Sequence, residues 1–111
     1  MKTTTKIAAL TIVLACGVNS LQGAEAKENW TRNCQSCHGP DGKGQTMMGK
    51  RAGARDYTDP KVQEALKDEN AIKAIKEGLK DGDKVVMKPY TSFTDEEVKA
   101  LVAYIRAFKK E

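Results

Sequence analysis

Histidine is nearly missing from this chain: His38 is the only one in 111 residues. Cysteine is almost as scarce, with Cys16, Cys34 and Cys37 making three. A closed structural zinc site needs four Cys or His ligands, so Cys34, Cys37 and His38 would have to borrow carboxylates to complete one. No strand-helix-strand pattern is present to seat a thioredoxin-like dithiol. No period-2 alternation persists, which leaves an all-α reading with long loops. The apolar run from Ile7 to Cys16 is too short to span a bilayer as a mature helix. The aromatics are Trp30, Tyr57, Tyr90, Phe93, Tyr104 and Phe108 alone, so one small domain would have a thin core of its own. A net charge of +4, with no long basic run and no interleaved aromatics, is too weak to argue for nucleic acid. Internal repeats and low-complexity tracts are absent as well.

What the chain does contain is Cys34-Gln35-Ser36-Cys37-His38. Cys-x-x-Cys-His is the attachment signature of c-type haem. Its two thiols bond covalently to the two vinyl groups of one porphyrin. The histidine that follows lies under the iron and supplies an axial nitrogen. A plain disulfide beside an unrelated histidine is the simpler alternative. A buried haem would also supply the apolar mass that so few aromatics do not. The unliganded polypeptide is therefore expected to be poorly folded, because the cofactor stabilises only the native state.

Residues 1–23 read as a secretory signal, with a basic start at Lys2 and Lys6 and an apolar stretch behind it. Small-residue exits follow at Ser20, Gly23 and Ala26, and residues 24–111 are the expected domain. Export to an oxidising compartment such as the periplasm agrees with covalent haem attachment. Val13-Leu14-Ala15-Cys16 partly resembles a lipobox. Cys16 is read either as an apolar residue of a discarded segment or as a lipid attachment point that would hold the domain at a membrane surface.

The first helix is expected from about Ala24 to Gln35, with Trp30 one turn before Cys34. A turn-rich loop runs from Gly39 to Gly44. Asp59 caps a second helix with Pro60 in its first position, ending near Lys67. Asp68 caps a third that runs through Glu77 and is stopped by Gly78, with Ile72, Ile75 and Leu79 as its apolar stripe. Leu79 to Phe93 reads as a loop. Thr94 and Glu97 form a capping box for the last helix, whose stripe is Val98, Leu101, Val102, Ile105 and Phe108. Met87, in that loop beside Pro89, is the candidate for the sixth iron ligand. Met47 and Met48 follow His38 too closely for that role and are expected to pack on the haem or in the core.

Taken in order, the attachment site, the Met87-Lys88-Pro89-Tyr90 segment and the final Leu101-Val102-Ala103-Tyr104-Ile105 helix resemble the class I c-type cytochromes. The resemblance runs from about Ala24 to the end of the chain. It implies a cytochrome c-like fold of three to five helices around one covalently bound haem c. The first and last helices would cross, with Ala26 facing Tyr104. A cut after Ala26 would remove that crossing residue, so an earlier one, near Ser20 or Gly23, is preferred. The family usually has a proline whose carbonyl orients the proximal histidine, but here Pro40 follows His38 too directly. The implied role is a monomeric electron carrier, with His38 and Met87 on the iron and redox proteins as donor and acceptor. Lys43, Lys50, Arg51, Lys84 and Lys88 would face an acidic docking surface. Its alternatives are a haem sensor or small peroxidase, in which Met87 is displaceable, and a docking subunit of a larger redox complex.

Overall fold

Apolar spacing makes the last helix amphipathic, and its stripe is buried against the first helical stretch, which offers Ala26 and Trp30. The computed structural model describes residues 18–110, with side chains from residue 23 onward. Cys16 and most of the expected signal segment lie outside the described residues. Helix α1 spans Val18–Asn29 and runs without a break through a π-helical turn, Trp30–Cys34, into the short α2, Gln35–His38. The rest of the chain adds α3 (Met47–Ala52), α4 (Pro60–Ala65), α5 (Asp68–Glu77), an antiparallel hairpin of β1 (Leu79–Asp81) and β2 (Lys84–Met87), and α6 (Asp95–Arg106). Among the described residues this makes five helical segments and one small hairpin, an all-α fold.

Helices α1 and α6 form the main packing contact of the fold. Ala26 and Trp30 from the first, and Val98, Leu101, Val102 and Ile105 from the second, are buried. Tyr104 of α6 lies 5.5 Å from Trp30, ring centre to ring centre. The expected crossing of first and last helix is therefore present. The capping box is also present: Glu97 N donates to Thr94 Oγ1 (3.1 Å) and Thr94 N donates to Glu97 Oε1 (3.0 Å). Asp95, Glu96 and Glu97 suit the positive end of the helix.

Three elements differ from the reading of the sequence. The segment after Leu79 is a hairpin, with Leu79 opposite Met87, Lys80 opposite Val85 and Asp81 opposite Lys84. Gly82, with φ +60°, sits in its turn; Asp81-Gly82 and Val85-Val86 are strand and turn chemistry too short to register as a period. Leu79 is 50 % exposed on that hairpin, so the buried face of α5 is Ala71 and Ile75. Asp68 is the first residue of α5 rather than its cap, because Lys67 takes the extended capping position.

Asp68 is used elsewhere. Arg106, near the end of α6, donates from Nη2 to Asp68 Oδ1 (2.7 Å) and to the Leu66 carbonyl, and from Nη1 to Gln63 Oε1 (3.0 Å) and the Gln63 carbonyl (2.6 Å). Gln63 is buried, and its Nε2 donates to the carbonyls of Tyr57 (2.7 Å) and Ile105 (2.8 Å). This polar joint ties α4 to α6 with the Gln63 amide satisfied on both sides.

Arg106→Leu leaves Gln63 Oε1 and the Leu66 carbonyl without their donor. Urea unfolding should show a loss of about 1–3 kcal/mol. Glu97 is held below the usual carboxylate range by the Thr94 N–H. Its contribution is therefore complete above that range and fades as pH falls through the depressed value. Glu97→Gln should flatten the fall of melting temperature below about pH 4; an unchanged acid limb would refute the assignment.

Candidate haem-binding site

The site begins with a widened helix. In the π turn the Gln35 N–H reaches back to the Trp30 carbonyl, five residues rather than four, which re-aims everything after it. Trp30 is 2 % exposed, and its Nε1 donates to the Gly39 carbonyl (3.0 Å) just past His38. Gly39, at φ +81°, ends α2 in a conformation that favours glycine. The chain then doubles back: Gly44 N donates to the His38 carbonyl (2.8 Å) and Tyr57 N to the Gly42 carbonyl (2.8 Å).

This path leaves His38 between two rings, Trp30 at 5.5 Å and Tyr57 at 5.4 Å. Its Nδ1 is buried and has no hydrogen-bond partner among the described residues. Burial lowers its pKa, so the imidazole is neutral at ordinary pH, the form that ligates metals. Cys34 and Cys37 are free thiols, both half-buried. Burial and the neighbouring Cys37 push the Cys34 thiol up to about 11. Cys34 is therefore not a low-pKa nucleophilic thiol.

Short helix α3 holds the turn in place, and the sequence reading missed it. Thr46 caps α3 by accepting from Gly49 N (2.9 Å) and in turn donates to the Cys37 carbonyl (2.7 Å). Gly49 is buried so closely against that carbonyl that a side-chain carbon there would overlap it. The signal was available: Thr46 before a short run, and Gly53 in the left-handed region after it. Met47 and Met48 of α3 are 73 % and 56 % exposed, so the polypeptide core does not take them.

Met87 closes β2 and is half-buried. It packs against the same hydrophobic cluster as Cys34, Tyr57, Tyr90 and Phe93. Gly78 lies against the Met87 carbonyl, where a Cβ would come within 2.5 Å. Of the basic residues expected around the site, Lys50, Arg51, Lys84 and Lys88 are exposed and Lys43 is half-buried.

The chain belongs to the cytochrome c family, whose model matches residues 23–109. Among solved structures it is similar to the KustC0563 c-type cytochrome, with 38 % identity and a TM-score of 0.68 over 77 % of this chain and 98 % of that one. A point mutant of that cytochrome matches at 37 % identity and a TM-score of 0.66, over 77 % and 99 % of the two chains. No curated protein matches it. The protein is thus a small c-type cytochrome, a haem-based electron carrier with covalently bound haem c. The donor set fits that group: two free thiols one helical turn apart, followed directly by a neutral imidazole held between two rings.

Gly49→Ala forces α3 away from the Cys37 carbonyl. It should lower the yield of covalently loaded protein severalfold, read as haem absorbance per polypeptide. Equal loading of mutant and parent would show that α3 does not position the attachment turn.

Proposed function

We propose that this cytochrome is an exported shuttle of single electrons, with haem bonded at Cys34 and Cys37 and iron held by His38 and Met87. The haem, when bound, supplies the ferric/ferrous couple; the chain decides its environment. His38 offers a neutral nitrogen fixed between Trp30 and Tyr57. Met87 offers a thioether, which favours ferrous iron and raises the potential. The observation that carries the reading is that Met87 and Cys34, distant in sequence, pack against one hydrophobic cluster.

Exposed Lys50, Arg51, Lys84 and Lys88 favour an acidic docking face on the donor and acceptor, and would make the transfer rate fall with salt. Residues 1–23 act as the export signal, and the mature protein works in the periplasm as a monomer. Acylation at Cys16 would instead tether it at a membrane surface. No helix among the described residues is long and apolar enough to cross a membrane.

Absorption spectra of the mature, haem-loaded protein in both oxidation states test the ligand pair. The parent should be low-spin with the weak far-red sulfur-to-iron band, and Met87→Ala should lose that band. A high-spin parent that binds carbon monoxide readily in the ferrous form would overturn the assignment in favour of sensing or peroxide chemistry.

A further inference from the structure

Tyr90 sits three residues beyond Met87 and is fastened to two other parts of the chain. Its backbone N–H donates to the Ile75 carbonyl (2.8 Å), near the end of α5. Its phenol donates to the Asn33 carbonyl at 2.6 Å, across 57 residues of sequence. Asn33 lies in the π turn, next to Cys34. A carbonyl has two lone pairs, so this one can serve both the helix and the phenol. The Tyr90 ring stacks on Phe93 with centroids 5.6 Å apart, and the Lys88 ammonium lies 5.2 Å from its centre. Burial raises the phenol's pKa, so it stays a protonated donor.

The segment from Met87 to Tyr90 is otherwise held at few points. Gly78 abuts the Met87 carbonyl and the Lys88–Pro89 peptide, and Pro89 fixes one backbone angle. Lys88 and Pro89 are themselves exposed. The phenol is thus the point at which the methionine arm is tied to the turn carrying the attachment cysteines.

We propose that Tyr90 is a positioning residue for the sixth ligand: its hydroxyl ties the Met87 arm to the Asn33 carbonyl and sets how readily Met87 leaves the iron. The inference rests on Met87 ligation, proposed above. A ligand that leaves more easily moves an electron carrier toward small-molecule binding, and this hydroxyl opposes that shift.

Tyr90→Phe removes that oxygen and keeps the ring, its stacking and its bulk. Stopped-flow mixing of the ferrous haem-loaded protein with carbon monoxide reads the opening of the sixth position directly. Tyr90→Phe should keep a low-spin spectrum with its sulfur-to-iron band, yet bind carbon monoxide about two- to tenfold faster, the range expected for one net hydrogen bond. Arg106→Leu, which loosens the α4–α6 joint, should leave that rate unchanged. Equal acceleration in both variants would reduce Tyr90 to a global stabiliser and overturn the proposal. Met87→Ala separates the two claims. If it loses the band while Tyr90→Phe binds at the parent rate, the Tyr90 proposal fails and ligation stands. If it keeps the band, ligation by Met87 fails, and the Tyr90 proposal fails with it.

Discussion

The burial of one indole organises this domain. Trp30 meets Tyr104 and Phe108 from the last helix and its neighbourhood, and His38 from the turn that follows it. Its single polar atom is satisfied by the Gly39 carbonyl, so the whole ring sits in the core without an unpaired group. Removing such a side chain from a core costs about 3–5 kcal/mol, a large share of a small domain's stability. The same ring therefore joins the helical frame to the chemistry: it cannot shift without moving either the α1–α6 contact or the imidazole.

Around that pin, the attachment turn is held from outside by backbone atoms rather than by large side chains. Gly42 admits the Phe108 ring, and Gly44 lies against the Ala54 and Arg55 carbonyls. Gly49 presses on Cys37, with Thr46 bridging the same carbonyl. Close approach of this kind leaves little slack, which suits a metal ligand that should move little when the charge on iron changes. Trp30 and Tyr57 flank the imidazole on both sides, so ring packing contributes to its orientation.

Much of this was legible where the signal is local. Cys34-x-x-Cys37-His38, Asp59-Pro60 and the Thr94–Glu97 box each complete themselves within a turn of helix, so spacing alone displays them. The crossing of first and last helix came from resemblance, not from spacing, and the ring contact across it is that of Trp30 with Tyr104. What spacing did not display depends on partners far along the chain or on runs below the length of a period. Gln63 reads as a surface amide until Arg106 and Ile105 are brought to it. The π turn leaves no periodic trace, since one extra residue in a helix looks like any other polar position. The hairpin is too short for alternation, though Asp81-Gly82 marked its turn. Met87 was expected in an irregular loop and instead ends a strand, which gives its backbone a defined register against Leu79.

The crossing of α1 and α6 also sets an order of events. Tyr104 and Phe108, which pack on Trp30, and the buried stripe from Val98 to Ile105 lie at the far end of the chain, so a chain emerging N-terminus first cannot complete its core until its last helix is available. Closing so long a loop is entropically slow compared with forming either helix alone. Until that contact closes, Cys34, Cys37 and His38 sit on a segment whose covering helix has not yet arrived.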